Sequence, residues 1–141
     1  MILRKIKNSD SAQIAKLLGQ LGYPTVPTVV AKRFKVLKTK FDQILVVVDK
    51  GEAVGFVSAH LIPLIHEDGF LSRITALVVD EGYRGKGIGK KLVQKAEIWA
   101  KKQGAVKSEI TSGAMRKKAH LFYEKMGYQE YRKRLLKRFK I

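Results

Sequence analysis

The chain has 141 residues, of which 45% are hydrophobic and 29% are charged, a composition typical of one ordinary globular domain spanning residues 1–141. It contains no cysteine, which excludes disulfide bonds, thiolate metal ligands and a cysteine nucleophile. Because 29 Lys and Arg residues oppose only 12 Asp and Glu, the formal net charge is +17, and such a charge attracts phosphorylated ligands and polyanions.

The first half of the sequence predicts a strand, two helices and two further strands. Residues 2–7 form the first strand. Apolar residues at helical spacing predict one helix that ends at Gly22 and a second, cationic helix that ends near Lys40. Branched apolar runs at residues 43–48 and 53–64 predict two strands, and the Asp-Lys-Gly-Glu segment between them is a hairpin turn signal.

The second half predicts a central strand over residues 70–79, a helix over 86–103 and a strand over 106–111. A strand, helix and strand in this order form a crossover unit, so the two strands should be parallel neighbours. A last helix should span 114–126, and residues 128–140 fit a basic two-stranded hairpin better than a helix. The sum is a mixed α/β (α+β) fold whose sheet changes from antiparallel to parallel near its middle.

The stretch from residue 74 to 91, ITALVVDEGYRGKGIGKK, joins an apolar strand to a helix through a glycine-rich cationic turn. Helix N-termini bind anions, and glycine lets the backbone approach them closely. The dinucleotide fingerprint fails because Lys90 stands where its third glycine belongs. The P-loop also fails, because Lys91 replaces its Ser or Thr. The pattern that remains is R-x-x-G-x-G.

This pattern, read as Arg84, Gly87 and Gly89 after LVVDEGY, resembles motif A of the GCN5-related N-acetyltransferases (GNAT superfamily). The downstream segment AHLFYEKMGY resembles the motif B of that family. The resemblance covers the chain and implies the GNAT fold, with about seven strands flanked by about four helices. It also implies acetyl-CoA as co-substrate and no metal.

The resemblance assigns residues to acetyl-CoA. The glycine turn should wrap the pyrophosphate through backbone N–H groups, at Arg84, Gly85, Lys86, Gly87, Ile88 and Gly89, with Lys90 near the same anion. The pantetheine arm should pair with the strand edge at Leu77, Val78 and Val79. The N–H of Val78 or Val79, for which we choose Val79, would stabilise the oxyanion of acyl transfer.

Tyr123 matches the tyrosine that the family is proposed to use as the general acid towards the departing thiolate. His120, one turn earlier, is at most a contact. Many members carry asparagine where this chain has Arg116, which could bind a CoA phosphate or simply begin a solvated helix. The base that deprotonates the amine is open among four carboxylates, and we choose Glu67 for testing over Asp68, Asp80 and Glu109.

The expected reaction is direct attack of a primary amine on acetyl-CoA in a ternary complex, since no serine or cysteine nucleophile motif is present. The resemblance implies that residues 21–40 and 61–69 select the acceptor, and the positive charge of residues 21–40 favours a small neutral or acidic amine, or an acidic protein surface. Two alternatives stay open: an RNA- or ribosome-associated protein, suggested by YRKRLLKRFK, and a non-catalytic acyl-CoA sensor.

No segment reaches the ~20 apolar residues of a membrane span, and the first ten residues lack the apolar run of a secretion signal. We therefore expect a cytoplasmic protein that does not bind membranes. A homodimer is compatible with the sequence, which carries no signal for or against it.

Overall fold

The computed structural model of the chain describes residues 1–111, 117–131 and 134–140. It is a mixed α/β fold. Within the described residues the strands are β1 (Ile2–Lys5), β2 (Asp42–Asp49), β3 (Glu52–Pro63), β4 (Phe70–Val79) and β5 (Ala105–Ile110). The helices are α1 (Ser11–Leu21), α2 (Pro27–Val36), α3 (Ile88–Lys102) and α4 (Lys117–Lys125).

The five strands of the described chain lie side by side in sequence order. The first four pair antiparallel, and β5 pairs parallel to β4 after the crossover through α3. The predicted meander and the predicted parallel pair are therefore both confirmed. The change from antiparallel to parallel occurs at one end of the described sheet, not near its middle.

Each face of the sheet carries its own hydrophobic cluster. One face packs against α1 and α2, and its buried members include Ile14, Leu17, Val30, Phe56 and Val78. The other face packs against α3, and its buried members include Val57, Ile74, Leu92, Val93 and Ala96. The apolar stripes of the helices thus cover both faces, which makes a three-layer arrangement.

The predicted hairpin over residues 128–140 is wrong for the part that the structure describes, since residues 128–131 and 134–140 form no strand there. The described sheet consequently has five strands where about seven were expected. The apolar side chains of this segment lie in solvent, with Leu135 98% and Phe139 83% exposed. The segment has no Gly, Pro, Asn or Asp to form a turn, and its many like charges would oppose one another in a hairpin.

Two element ends also differ from the prediction. The first strand ends at Lys5 instead of residue 7, because the chain turns into a short helical turn at Asn8–Asp10. The second helix ends at Val36, and Leu37 closes it with an N–H bond to the carbonyl of Arg33. Cationic residues after that point belong to the connection into β2.

An ion pair joins β1 to the start of α1. Arg4 donates two hydrogen bonds of 2.9 Å to the carboxylate of Asp10, and the backbone N–H of Lys7 donates a third at 2.7 Å. The Asp10 residue is only 5% exposed. Burial acts to raise the pKa of this carboxyl, but the bonds from Arg4 and Lys7 outweigh it and hold the pKa below its ordinary value.

Replacing Asp10 by asparagine is expected to lower the free energy of unfolding by about 2 kcal/mol at pH 7, since a buried charged acceptor is lost. Because the folded-state pKa is lowered, this contribution is present above the unfolded pKa of about 3.9 and is lost as the pH falls through the folded value. Urea unfolding of both proteins from pH 7 downward measures it. If the difference in the free energy of unfolding between the two proteins did not shrink as the pH falls, the ionised Asp10 carboxylate would not be its source.

Candidate functional site

A bulge near the middle of β4 opens the edge of the sheet. Opposite β3, Ile74 pairs with Ala59 and Ala76 pairs with Ser58, so Thr75 is an extra residue. On its other side β4 pairs with β5 only as far as Ile74. From the bulge to Val79, β4 therefore has no strand partner on that side among the described residues.

The direction of the backbone groups along this edge follows from the ladder with β3. The N–H of Asp80 donates to the carbonyl of Val54 at 2.8 Å, which marks one hydrogen-bonded pair. Such pairs alternate in an antiparallel ladder, so Val78 bonds towards β3, whereas Leu77 and Val79 point their N–H and C=O groups to the open edge. Of the two oxyanion donors predicted from the sequence, only Val79 faces the edge, and Leu77 joins it.

A hydrogen bond to Val79 independently supports the outward direction of its backbone carbonyl. The carbonyl of Val79 accepts a hydrogen bond of 3.2 Å from Nε of Arg84, which lies beyond the strand end. The open edge of β4 thus leads directly into the segment that carries the R-x-x-G-x-G pattern.

The glycine turn presents backbone to solvent at the start of α3. Gly85 and Gly87 both have φ of +79°, and a Cβ atom built on either would meet nothing within 4 Å. The carbonyl of Gly87 accepts the N–H of Lys91 at 3.1 Å. The three N–H groups before it, those of Ile88, Gly89 and Lys90, have no partner inside the helix. Unpaired N–H groups at the positive end of a helix dipole are an arrangement that favours anions.

A glutamine of α1 holds the beginning of this turn. Nε2 of Gln20 donates to Oδ1 of Asp80 at 2.9 Å, and its Oε1 accepts the N–H of Glu81 at 3.2 Å. The other Asp80 oxygen accepts the N–H of Gly82 at 3.0 Å. The bond from Gln20, followed by that from Gly82, lowers the pKa of Asp80. The sequence analysis missed Gln20, because a partner 60 residues away leaves no local pattern.

Tyr83 connects the turn to the end of β2. Its hydroxyl donates to Oδ2 of Asp49 at 2.7 Å, and this bond raises the pKa of Tyr83. Nζ of Lys86 lies 5.0 Å from the centre of the Tyr83 ring. The segment that leads into the glycine turn is therefore held from α1 on one side and from β2 on the other.

The helix α4 lies next to both the glycine turn and the open edge. A Cβ atom at Gly89 would lie 3.4 Å from Cζ of Phe122 and 3.7 Å from Cγ2 of Val79. Phe122 packs against the α3-side cluster, as a core residue does. Its neighbour Tyr123 is partly buried, with its ring 5.3 Å from the Phe122 ring and 6.4 Å from the Tyr128 ring. Arg116, the other residue predicted to contact CoA, lies outside the described residues.

The structure does not bring Glu67 to this place. Glu67 lies in the loop before β4 and forms an ion pair with Lys107, whose hydrogen bond lowers the pKa of the Glu67 carboxyl. At ~3.3 Å per residue, the strand from Phe70 to Val79 separates Glu67 from the glycine turn by roughly 30 Å. A carboxyl with a lowered pKa at the far end of β4 is a poor base for chemistry at Val79.

The other candidate side chains also have partners elsewhere. Glu109 accepts a hydrogen bond of 2.8 Å from Nε of Arg73. His120 lies 3.2 Å from Glu124 and 3.3 Å from Glu130, an arrangement at the outer side of α4. Within the described residues, no three His, Asp or Glu side chains are grouped so as to hold a metal ion. Nor is any helix of that part long and apolar enough to cross a membrane.

A cationic cleft of about 660 Å³ lies between the end of α2 and the first two strands. Its lining includes five lysines, namely Lys5, Lys7, Lys35, Lys38 and Lys40. Asp42, at the start of β2, is the one carboxylate among the residues that line it. Such a cleft attracts small anions.

Comparison with known proteins agrees with this geometry. The sequence model of the acetyltransferase (GNAT) family matches residues 16–128. The chain therefore belongs to the GNAT family of acyltransferases, as its motifs predicted.

Individual relatives carry related names. Over 80 residues the chain is 36% identical to the aminoalkylphosphonate N-acetyltransferase of Salmonella typhimurium, covering 57% of this chain and 52% of that protein. Over 96 residues it is 33% identical to an uncharacterized N-acetyltransferase of Methanocaldococcus jannaschii, covering 67% of this chain and 42% of that protein. The chain thus spans about half or less of the length of these relatives.

Solved structures share the fold over nearly the whole chain. Glucosamine-6-phosphate N-acetyltransferase from Arabidopsis thaliana superposes with a TM-score of 0.85 at 25% identity, covering 99% of this chain and 98% of that one. A protein from Bacillus halodurans described as a transcriptional regulator superposes with a TM-score of 0.89 at 24% identity, covering 98% and 99%. The latter likeness concerns the fold alone.

Proposed function

We propose that the chain is an acetyl-CoA-dependent N-acetyltransferase that moves an acetyl group to a primary amine by direct attack. One observation carries the proposal: the open edge of β4 runs into an exposed glycine turn that begins α3 without a side-chain cap. An extended arm ending in a pyrophosphate needs these two surfaces in this order. An open strand edge binds an extended group by strand addition, and a helix N-terminus binds phosphate.

The residues divide the binding of acetyl-CoA between them. The N–H groups from Arg84 to Gly89 bind the pyrophosphate, and Lys90 adds charge. The edge groups of Leu77 and Val79 bind the pantetheine arm, while Val78 supports the strand from the β3 side. Arg116 is kept as a proposed phosphate contact.

The chemical step uses backbone on one side of the thioester and a hydroxyl on the other. The N–H of Val79, or that of Leu77 one repeat further from the turn, donates to the thioester oxygen as negative charge develops there, a contribution of roughly 3 kcal/mol. Tyr123 gives its proton to the departing thiolate. With no cysteine in the chain, the amine attacks the thioester directly.

The acceptor that fits best is a small primary amine that also carries an anionic group. The cationic cleft supplies the positive charge for such a group, and it lies on the face of the sheet that packs against α1 and α2. The named substrates of two similar proteins, an aminoalkylphosphonate and glucosamine 6-phosphate, both combine an amine with a phosphonate or phosphate. An acidic protein surface remains the alternative acceptor.

Calorimetry with acetyl-CoA, followed by a free-thiol assay, tests the proposal. The amine panel should contain 2-aminoethylphosphonate and β-alanine as anionic amines, ethylamine as a neutral-tailed amine and spermidine as a polycation. We expect acetyl-CoA to bind and thiol release to be fastest with the anionic amines. Failure to bind acetyl-CoA would overturn the proposal.

The same experiments separate the alternatives. Acetyl-CoA binding without thiol release from any amine would favour an acyl-CoA sensor. An RNA-associated protein, for which the exposed basic segment 134–140 is the supporting feature, would bind RNA with an affinity that falls steeply as salt rises. Cytoplasmic location and a homodimer are predictions that fractionation and light scattering would check.

A further inference from the structure

Three strands contribute to a hydrogen-bonded row that the assigned chemistry does not use. Nδ1 of His60 on β3 lies 2.8 Å from Oδ1 of Asp42 on β2. Nε2 of the same ring lies 2.7 Å from Oγ1 of Thr75 on β4 and 3.0 Å from Oγ of Ser58. The side chains of His60 and Asp42 are 19% and 15% exposed. The row therefore runs across the sheet from β2 to the bulge.

The partners determine how the imidazole is protonated. An ionised carboxylate only accepts hydrogen bonds, so the proton of neutral His60 belongs on Nδ1, facing Asp42. Nε2 then presents its lone pair to the hydroxyl of Thr75. The second oxygen of Asp42 accepts the Thr39 hydroxyl at 2.6 Å, which fixes the carboxylate in turn. The ring is thus held as a proton acceptor aimed at Thr75.

Thr75 occupies a special position in the fold. It is the bulge residue, it is exposed, and β4 leaves β5 just after it. Two residues further on, about 7 Å along the strand, the N–H of Leu77 faces the open edge. The Thr75 hydroxyl therefore lies at the place where an acceptor would reach the thioester, with an imidazole lone pair behind it.

The row also connects this place to the cationic cleft. Asp42 lines the cleft and contacts His60 directly. An acceptor whose anionic group lies among the lysines has its amine on the same face of the sheet as the histidine. None of the four candidate carboxylates is placed to act as the base that deprotonates the amine. Glu67 and Asp68 lie in the loop before β4, remote from Leu77 and Val79, and Asp80 and Glu109 are hydrogen-bonded to Gln20 and Arg73.

We propose that His60, held by Asp42, removes the proton from the acceptor amine through the hydroxyl of Thr75; this rests on the proposed function. The ammonium gives one proton to Oγ1 of Thr75 while the Thr75 hydroxyl proton passes to Nε2 of His60. The amine lone pair then forms the C–N bond, the C–S bond breaks, and the thiolate takes the proton of Tyr123. The acylated nitrogen still carries one proton too many, and it gives that proton to the Tyr123 phenolate, which restores the tyrosine and leaves the neutral amide. The imidazolium, stabilised by Asp42, returns its proton to water.

Other charged groups face His60 from the neighbouring elements. Arg73 of β4 is its cross-strand partner, and Glu109 of β5 pairs with that arginine. Lys38 and Lys40, before β2, line the cleft beside Asp42. The pH dependence must therefore be compared between variants that leave these four groups in place.

The test uses His60→Gln and Thr75→Val, with Ser11→Ala as the control. The Ser11 hydroxyl is buried and donates a hydrogen bond of 2.6 Å to the carbonyl of Asn8, but it lies at the start of α1, outside the row. With β-alanine at pH 7 and saturating acetyl-CoA, we expect kcat/KM to fall about 100-fold in the first two variants and to stay within about threefold in the control. The loss of kcat/KM in these two variants, relative to the wild-type protein, should shrink as the pH rises, because more of the amine is then already neutral.

Aminooxyacetate separates proton removal from a structural role. It has nearly the shape of β-alanine and the same carboxylate, but its nitrogen is neutral at pH 7, so no proton has to be removed before it attacks. We expect His60→Gln to acetylate it at nearly the wild-type rate, with unchanged acetyl-CoA affinity. If His60→Gln lost activity equally with both amines, proton removal by His60 through Thr75 would be refuted. Wild-type activity of His60→Gln with β-alanine would refute it as well. A wild-type chain that releases no thiol with any amine would instead refute the proposed function itself.

Discussion

Replacing Gly87 by valine is expected to weaken acetyl-CoA binding at least about 100-fold, because roughly 3 kcal/mol of hydrogen bonds to the pyrophosphate is lost. Gly87 has φ of +79° and is the residue just before α3, so a branched side chain there strains the backbone and occupies space that is open at the helix N-terminus. Calorimetry with acetyl-CoA on the folded variant measures the loss.

The control for this variant is Gly51→Val. Gly51, in the turn between β2 and β3, has the same φ of +79° and likewise no neighbour within 4 Å of its added Cβ. Both variants therefore pay a similar backbone cost, of order 1 kcal/mol. If Gly51→Val lost acetyl-CoA affinity as strongly as Gly87→Val, the loss would reflect stability and the turn would not be the pyrophosphate site.

Replacing Tyr123 by phenylalanine should lower kcat about 100-fold, the lower range for removing a general acid, and leave acetyl-CoA affinity nearly unchanged. The ring contacts with Phe122 and Tyr128 are kept in the variant, so its packing is preserved. Steady-state kinetics with the best amine of the panel, together with calorimetry, measures both quantities.

Tyr128→Phe is the matched control. The Tyr128 hydroxyl donates to Glu97 at 2.6 Å and lies 2.9 Å from Ser108, and burial of this hydroxyl raises its pKa. Its loss should lower the free energy of unfolding by about 1 kcal/mol and affect turnover little at temperatures where the protein is folded. If the two variants lost turnover alike, Tyr123 would be a packing residue.

The sequence predicted those parts of the fold that depend on residues close together along the chain. The predicted strand 70–79 has the same bounds as β4, and the helix predicted from residue 86 begins at Ile88. A continuous apolar run and a glycine-rich turn are enough for these elements, because backbone preference and tertiary packing agree there.

Long-range contacts could not be predicted in this way. His60 lies 18 residues from Asp42 and 15 from Thr75, and the bulge that places Thr75 becomes visible only in the pairing with β3. A histidine between apolar residues on a strand gives no sign of such partners. Conversely, we choose Glu67 from the sequence because a polar turn can face a groove, but its ion pair with Lys107 of β5 leaves no local pattern.

The bridge from Gln20 to the turn at Asp80 has a consequence for ligand binding as a whole. Gln20 belongs to α1, whose buried face shares a cluster with α2, and the end of α2 lines the cationic cleft. Ordering the turn around a pyrophosphate therefore also restrains the helices beside the acceptor. Binding free energies linked in this manner are reciprocal, so any tightening of the acceptor by acetyl-CoA must be matched by an equal tightening of acetyl-CoA by the acceptor.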